Sequence, residues 1–290
     1  MKSQSLQRLG IIGHPIAHTL SPAMHSAAID ELRIPFTYGV FDVVDEFLPA
    51  LLASLRIVEF AGANVTIPHK VRIIPLLDAV DQDALKIGAV NTIVNRNGKL
   101  TGYNTDAAGI RKSLEPFMGK IRNAPAVVIG AGGGARAAAY AVSKNFSPAS
   151  VRFYNRTAAR AETLAGQFRE LFPGIAYDCI SDEGALRGAI AESVLIVNTT
   201  PAGMTPNSDA LPIPPGIRFS NYQIILDIIY TPIETALLRR AKSDGATAVN
   251  GVEMFIHQGA IAFELWTGKK FPIDVARRAV LQALTARTGL

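Results

Sequence analysis

The sequence predicts an α/β protein of two lobes, each built on strands that helices cover. Short apolar runs such as residues 9–13 and 126–129 alternate with longer stretches of helical periodicity, a pattern typical of largely parallel sheets. The 290 residues are enough for two hydrophobic cores. Hydrophobic residues make up 49% of the chain and charged residues 18%, which excludes a disordered protein and suits strands buried on both faces.

Composition also indicates the class of partner and the compartment. The net charge of +5 comes from basic residues scattered along the chain, which favours a small anionic metabolite or phosphate cofactor over nucleic acid. The single cysteine, Cys179, excludes an intrachain disulfide and is typical of the reducing cytoplasm. Residues 1–8 lack the apolar core of a signal peptide, and no apolar run is long enough to cross a membrane. We therefore expect a cytoplasmic protein that binds neither membranes nor nucleic acid.

The first predicted strand, residues 9–13, leads into a loop rich in hydroxyl groups. Ser21 followed by Pro22 is a typical helix start, which predicts a helix from Pro22 to Leu32 with Ser21 as its N-cap. Thr19 adds a second hydroxyl beside the positive end of that helix, where a carboxylate binds favourably. Capping and carboxylate binding both fit these residues.

A lysine follows the third predicted strand. Residues 36–43 predict a second strand, residues 45–55 a helix capped by Asp45, and residues 60–67 a third strand that leads into Lys70. We expect Lys70 in the first turn of a helix, where the macrodipole disfavours its charged form and helps it exchange a proton near neutral pH. A solvated lysine on a helix face fits the same residues.

Polar side chains precede and follow this lysine. Asn64 and Thr66 are two residues apart, so they share one strand face and offer an amide and a hydroxyl. Asp106 opens a helix predicted to reach Phe117, where it could cap the helix or hold the Lys70 ammonium.

Between these groups, local patterns predict a helix and a hairpin. Residues 73–80 are apolar with helical spacing. Residues 88–94 and 99–103 flank Asn97-Gly98, a dipeptide typical of two-residue hairpin turns.

The clearest pattern in the chain is the apolar run 126–129 followed by a glycine-rich turn and an alanine-rich helix. Gly130, Gly132 and Ala135 fill the G-x-G-x-x-G/A frame, in which backbone N–H groups at a helix start face a pyrophosphate. A turn that serves only helix–strand packing has the same frame. The expected phosphate-binding residues are Gly130, Ala131, Gly132, Gly133, Gly134 and Ala135.

The end of the next strand, residues 150–154, selects the dinucleotide. A site for NAD would have an acid there to bind the ribose 2′-OH, but the chain has Asn155-Arg156-Thr157, with Arg160 one turn later. Arginine offers forked donors to a 2′-phosphate, so NADP is the expected cofactor.

The remaining strands and helices complete the second lobe and then leave it. Strands predicted over 193–198 and 224–230 end in loops that should border the cofactor, because ligands bind at the carboxyl ends of parallel strands. Helices are predicted from Thr231 to Ser243, over 251–266 and over 272–288. Gln258 requires a partner if it faces inward.

Taken together, these blocks resemble the shikimate dehydrogenase family over nearly the whole chain. The resemblance is carried by residues 18–22 (HTLSP), 64–70 (NVTIPHK), 88–92 (GAVNT), 104–106 (NTD), 130–135 (GAGGGA), 155–157 (NRT), 198–204 (NTTPAGM), 227–230 (DIIY) and 251–254 (GVEM) with Gln258. It implies a reversible NADP-dependent reduction of 3-dehydroshikimate to shikimate, in aromatic amino-acid biosynthesis, by a monomer or homodimer.

The resemblance also assigns lobes and residues. It implies a substrate-binding domain of residues 1–106 and 252–290, to which the C-terminal helices return, and a Rossmann-like NADP-binding domain of residues 107–251. Lys70 and Asp106 would be the catalytic pair. The substrate would meet Thr19, Ser21, Asn64, Thr66, Asn91, Tyr230 and Gln258. Beyond the glycine turn, the cofactor would meet Asn155, Arg156, Thr157, Arg160, Thr199, Thr200, Gly251 and Met254, although helical periodicity alone favours a core position for Met254.

Thr19 departs from the family pattern, which has serine at the substrate carboxylate. Threonine keeps the hydroxyl but adds a methyl group and a stiffer χ1, so a quinate or dual quinate/shikimate dehydrogenase using NAD or NADP is the alternative within the family.

Other classes fit less of the sequence. A methyltransferase usually has an acid where the chain has Asn155 and Arg156, and a non-catalytic NADP-binding regulator leaves Lys70 and Asp106 without a function. No metal is expected, because Pro15 disfavours a helix that would bring His14 and His18 together.

Overall fold

The computed structural model describes residues 5–288 and divides the chain into two compact units. Unit 1 consists of the residues up to Thr105 and those from Ile256 onward, and unit 2 is Asp106–Phe255. Each unit has its own six-stranded sheet. The predicted α/β class with two lobes is therefore confirmed, and the chain leaves unit 1 and later returns to it.

Unit 1 is built on a mixed sheet. Its first elements are β1 (Gln7–Gly13), α1 (Ser21–Leu32), β2 (Phe36–Asp42), α2 (Leu48–Ser54), β3 (Phe60–Val65), β4 (Ala79–Val80), α3 (Gln82–Ile87), β5 (Thr92–Arg96) and β6 (Lys99–Tyr103). The strand order is β2-β1-β3-β5-β6-β4, with β5 antiparallel to both of its neighbours. The predicted hairpin is present: Asn97 and Gly98 join β5 to β6 with φ of 53° and 84°, as a type I′ turn requires.

Unit 2 is built on a wholly parallel sheet, with helices between consecutive strands except between β10 and β11. Its elements are α4 (Asp106–Leu114), α5 (Met118–Ile121), β7 (Pro125–Ile129), α6 (Gly133–Phe146), β8 (Ser150–Tyr154), α7 (Ala158–Leu171), β9 (Ala176–Ile180), α8 (Glu183–Glu192), β10 (Leu195–Asn198), β11 (Ile224–Asp227), α9 (Ala236–Ser243) and β12 (Thr247–Val249). The order β12-β11-β10-β7-β8-β9 reverses direction between β7 and β10. Such a switch point is where open parallel sheets bind ligands.

Two long helices, α10 (Val252–Thr267) and α11 (Ile273–Thr288), follow β12. α11 packs against α1, and Trp266 of α10 donates its indole N–H to the Ile93 carbonyl of β5 over 2.8 Å. The predicted return of the C-terminal helices to the first lobe is therefore confirmed. Gly62 of β3 lies directly against this hydrogen bond, where a Cβ atom would collide with both of its partners.

Several predicted helix limits are wrong. Residues 73–80 form a 3-10 turn, Ile74–Leu76, and then β4, because Ala79 and Val80 pair in parallel with Thr101 and Gly102 of β6. Residues 45–55 likewise begin with a 3-10 turn, Asp45–Phe47, before α2, and Asp45 caps no helix.

In unit 2, β11 and α9 are shorter than predicted. β11 ends at Asp227 rather than Tyr230. α9 begins at Ala236, and its N-cap Thr235 accepts a hydrogen bond from the Leu238 N–H.

Among residues 5–288, no helix combines the length and apolar character needed to span a membrane.

Candidate active site

The predicted glycine turn lies at the switch point of the unit 2 sheet. Gly130 follows β7 with φ of +114°, a conformation that glycine adopts without strain, and its N–H donates to the Tyr154 carbonyl over 2.8 Å. A Cβ atom on Gly130 would collide with the Thr199 side chain, whereas one on Gly132 would meet open space. The turn is thus packed on one side and accessible at the start of α6, as a phosphate site requires.

The loop after β10 packs directly on this turn. The Thr199 N–H and hydroxyl both donate to the Ile129 carbonyl, over 2.9 and 2.7 Å. The Asn198 side-chain oxygen accepts from the N–H and the hydroxyl of Thr200, over 3.0 and 2.8 Å. The two residues predicted to border the cofactor, Thr199 and Thr200, are therefore held beside the glycine turn.

A buried carboxylate that we did not predict anchors this loop. Asp227, at the end of β11, accepts from the Asn198 amide over 3.0 Å, the Ile229 N–H over 3.2 Å and the Thr235 hydroxyl over 2.7 Å. Burial raises the pKa of Asp227 to about 6, and these hydrogen bonds only partly oppose the rise. The available signal was an acid at the end of an apolar strand, in register with Asn198 on β10.

Asp227 makes stability depend on pH. Its pKa is higher in the folded protein than its usual 3.8, so the folded state binds the proton more tightly, and this contribution to stability is lost as pH rises from about 4 to about 6. Asp227→Asn removes this dependence. We expect the melting temperature of the variant, relative to the wild type, to rise between pH 4 and pH 7. A difference that is constant or falls over that range in calorimetric scans would contradict the assignment.

The predicted 2′-phosphate residues lie at the end of β8, next to β7. Asn155 donates from its amide to the Thr157 carbonyl over 3.0 Å, and α7 begins at Ala158. Arg156 and Arg160 are both exposed there. Since β8 and β7 are adjacent parallel strands, their carboxyl ends, and with them the arginines and the glycine turn, lie at the same edge of the sheet.

In unit 1, the hydroxyls of Thr19 and Ser21 lie 3.2 Å apart at the start of α1. The prediction that Ser21 caps this helix is wrong: Leu20 has the N-cap position and Ser21 is the first helical residue. The Ser21 N–H donates to the Thr19 hydroxyl over 3.2 Å. The pair therefore presents two adjacent hydroxyl groups at a helix N-terminus, one buried and one partly exposed.

Asn91, Thr105 and Gln258 form a buried cluster in the same unit. The Thr105 N–H donates to the Asn91 side-chain oxygen over 2.7 Å, which fixes the orientation of that amide. The Asn91 amide nitrogen therefore faces Thr105 Oγ1 at 2.9 Å and Gln258 Oε1 at 3.3 Å. The inward-facing Gln258 has the partners that its position in α10 requires.

Asn64 lies close to this cluster at the end of β3. Its side-chain oxygen accepts from the Tyr38 hydroxyl over 2.7 Å, and its amide nitrogen faces Thr92 Oγ1 at 3.4 Å. Thr66, just beyond β3, is partly exposed, and its N–H donates to the Ile12 carbonyl over 2.8 Å. Amide and hydroxyl groups are thus concentrated where β3 ends and the antiparallel β5 begins.

Lys70 lies in a series of turns after β3, not in a helix. The prediction that a helix macrodipole disfavours its charged form is therefore wrong. Its backbone is nevertheless fixed: the Val90 N–H donates to the Lys70 carbonyl over 2.7 Å. The preceding His69, which we did not single out, is fully buried. It donates from Nε2 to the Val43 carbonyl over 2.6 Å, and its Nδ1 lies 3.0 Å from Asp45.

The other predicted site residues belong to unit 2. Asp106 is the first residue of α4 and is buried. The Tyr230 ring stacks on Phe255 at a centroid distance of 4.3 Å, and the Gly251 N–H donates to the Ile229 carbonyl over 3.0 Å. Met254 is buried as well.

His14, one of the two histidines considered as metal ligands, lies beside a carboxylate. His14 Nδ1 lies 2.7 Å from Asp42 at the surface of unit 1. Within the described range 5–288, no three His, Cys, Asp or Glu side chains are grouped so that they could hold a metal ion.

Comparison with known proteins extends over both units. Residues 11–93 match the model of the shikimate dehydrogenase substrate binding domain, and residues 251–281 match that of the shikimate 5'-dehydrogenase C-terminal domain. The chain is 43% identical to a shikimate dehydrogenase (NADP(+)) of Symbiobacterium thermophilum, over 95% of this chain and 94% of that protein.

Solved structures share the whole architecture. A shikimate 5-dehydrogenase from Thermus thermophilus in complex with NADP(H) and shikimate has a TM-score of 0.83 and 36% identity, and the match covers 96% of this chain and 100% of that one. A quinate dehydrogenase from Corynebacterium glutamicum in complex with NAD has a TM-score of 0.86 and 30% identity, with 96% and 100% covered.

Proposed function

Because the chain belongs to the shikimate dehydrogenase family, we propose that it catalyses the reversible NADP-dependent reduction of 3-dehydroshikimate to shikimate, a step of aromatic amino-acid biosynthesis. Residues 1–106 and 252–290 would bind the substrate, and residues 107–251 would bind NADP. The observation that carries the proposal is the buried amide and hydroxyl cluster of unit 1, centred on Asn91 and Gln258. Such a cluster suits a polyhydroxylated ring, because a wrong analogue leaves its buried polar groups unpaired.

The residues of unit 2 fit NADP. The open space at Gly132 lets phosphate oxygens approach backbone N–H groups, and Arg156 and Arg160 suit a 2′-phosphate. When bound, the nicotinamide supplies or accepts the hydride. Asn155, Thr157, Thr199, Thr200, Gly251 and Met254 are the further residues that we propose to contact the cofactor.

The residues of unit 1 and Asp106 would hold the substrate and move its proton. Reduction of the ring ketone produces an alkoxide, to which Lys70 would donate a proton, and Lys70 would remove that proton in the oxidation. Asp106 would hold the Lys70 ammonium. Thr19 and Ser21 would bind the substrate carboxylate, while Asn64, Thr66, Asn91, Tyr230 and Gln258 would bind the ring hydroxyls.

Initial rates with shikimate or quinate and NADP⁺ or NAD⁺, followed by nicotinamide absorbance, test the proposal. We expect shikimate with NADP⁺ to be oxidised much faster than the other three pairs. A preference for quinate with NAD⁺ would instead support a quinate dehydrogenase, for which the methyl group of Thr19 is the motivating feature. Absence of turnover with every pair would support a non-catalytic NADP-binding protein.

Arg156→Ala is expected to raise KM for NADP⁺ by about tenfold or more and to change KM for NAD⁺ less than about twofold, because a charge-assisted hydrogen bond to the 2′-phosphate is lost. Arg239→Ala is the control, since it removes an exposed arginine of α9 that pairs with Asp209. Equal losses with both cofactors would show that Arg156 does not bind the 2′-phosphate.

The compartment and assembly state are part of the same proposal. We place the enzyme in the cytoplasm, as the single cysteine suggests, acting on small molecules as a monomer or homodimer, without nucleic acid or membrane partners. Size-exclusion chromatography with light scattering gives the assembly state directly.

A further inference from the structure

A tyrosine of the edge strand reaches the proposed substrate site from two strands away. In the sheet of unit 1, Leu9 of β1 is in register with Tyr38 of β2 on one side, and Ile11 of β1 with Asn64 of β3 on the other. Tyr38 and Asn64 therefore lie on the same sheet face, and the Tyr38 hydroxyl donates to Asn64 Oδ1 over 2.7 Å. Asn64 is 4% exposed.

This hydrogen bond fixes which end of the Asn64 amide points where. A backbone carbonyl can only accept, and the Asn91 carbonyl lies 3.5 Å from Asn64 Nδ2, so the nitrogen is on that side and the oxygen faces Tyr38. The two contacts of Nδ2, with the Asn91 carbonyl and with Thr92 Oγ1, are long at 3.5 and 3.4 Å. Among the hydrogen-bond distances of Asn64 within residues 5–288, the one from the Tyr38 hydroxyl, 2.7 Å, is therefore the shortest.

The Tyr38 ring is itself held in place by a buried histidine. His25 stacks on it at a centroid distance of 4.5 Å and an interplanar angle of 15°, and the rings of Phe263, Trp266 and Phe271 surround His25 within 6.2 Å. Burial lowers the pKa of His25 to about 3, so the stacked imidazole is neutral at physiological pH. The Tyr38 hydroxyl therefore approaches Asn64 from one fixed direction.

We propose that Tyr38 is a positioning residue, whose hydroxyl holds the Asn64 amide with its nitrogen turned toward the substrate hydroxyls. The inference rests on the proposed function, in which Asn64 binds the substrate ring. Without the Tyr38 hydroxyl, Asn64 Oδ1 loses its 2.7 Å hydrogen bond, and the amide rotates or presents its oxygen where the substrate requires a donor.

Tyr38→Phe tests this role, because it removes the hydroxyl and keeps the ring that stacks on His25. We expect KM for shikimate, and its Kd measured by calorimetry, to rise about tenfold. We expect kcat to change less than about twofold, with KM for NADP⁺ unchanged. Tyr103→Phe is the matched control, since Tyr103 packs against the same apolar cluster as Tyr38 and lies outside the Asn64 contacts.

Repeating the Tyr38→Phe change in the Asn64→Ala variant distinguishes a positioning role of Tyr38 from a purely structural one. In Asn64→Ala, the further change Tyr38→Phe should have no effect on KM, because the amide that it orients is gone. Equal losses in both backgrounds, or an unchanged KM in Tyr38→Phe alone, would overturn the inference. A wild type that binds shikimate without oxidising it would contradict the proposed function alone, since the calorimetric comparison of Tyr38→Phe remains valid without turnover.

Discussion

Lys70→Ala is expected to lower kcat for shikimate oxidation by about 10³-fold, the range in which removal of a general acid–base group usually falls. Binding should persist, with Kd for shikimate changed less than about fivefold, because the amide and hydroxyl groups of unit 1 are intact. Stopped-flow single turnovers measure the loss at the chemical step, and calorimetric titration with shikimate measures binding. Together they separate proton transfer from substrate affinity.

Two further variants sharpen this prediction. Lys70→Arg keeps a positive charge on a group that does not release its proton, so it should be nearly as inactive as Lys70→Ala if proton transfer is the function of Lys70. Lys86→Ala, in the last turn of α3, is the control for loss of a lysine from unit 1. A kcat within tenfold of the wild type in Lys70→Ala would contradict the assignment, and recovery of activity in Lys70→Arg would indicate an electrostatic role.

Gly62→Ala is expected to destabilise unit 1 by about 3 kcal/mol or more. The added Cβ would collide with the Ile93 carbonyl and the Trp266 indole nitrogen, which are joined by a 2.8 Å hydrogen bond. The carbonyl belongs to β5, which pairs with β3 at this point, so it cannot move without disturbing the sheet. Relief of the clash therefore costs a buried hydrogen bond or a strand pairing.

Urea unfolding followed by tryptophan fluorescence measures this change where it occurs, because Trp266 is the only tryptophan of the chain. Gly39→Ala is the matched control: it lies in β2 of the same sheet, and its added Cβ would come no closer than 3.9 Å to the Leu9 carbonyl. A Gly62→Ala protein as stable as Gly39→Ala would show that the contact between α10 and the sheet relaxes easily.

Short-range patterns predicted the elements that rest on local chemistry. The turn between β5 and β6 requires positive φ at two consecutive residues, which Asn97 and Gly98 adopt readily, so this dipeptide was enough to predict the hairpin. The glycine turn after β7 is specified in the same way by Gly130, whose close approach to Thr199 leaves no room for a side chain. Gln258, a polar residue among the apolar positions of α10, correctly indicated buried polar partners.

Predictions failed where apolar spacing was the only signal. Residues 73–80 have helical spacing, but Ala79 and Val80 form β4 by pairing with β6, which leaves only a 3-10 turn before it. Lys70, which we expect in the first turn of a helix, lies in turns that are stabilised by long-range contacts such as that of His69 with the Val43 carbonyl. Such contacts depend on which strands are neighbours in the sheet, and the strand order cannot be derived from a single sequence.

The residues that hold the proposed ligand contacts were missed for the same reason. Tyr38 and Asn64 are separated by β1 in the sheet and by 26 positions in the chain. Asp227 meets Asn198 through the pairing of β10 with β11. Motif comparison identifies groups that would touch a ligand, whereas the side chains that orient those groups become visible only through strand register.

The interrupted course of unit 1 has a consequence during protein synthesis. Asp106–Phe255 emerges from the ribosome as one uninterrupted stretch, so the strands of its parallel sheet can pair as soon as this stretch is complete. The strands β1 to β6 emerge earlier, but the sheet face that Trp266 covers waits for the part of α10 that follows Phe255. At usual translation rates that delay is on the order of 10 s. During this interval the apolar sheet face around Leu9 lacks the cover that Ala262 and Trp266 give it in the folded protein.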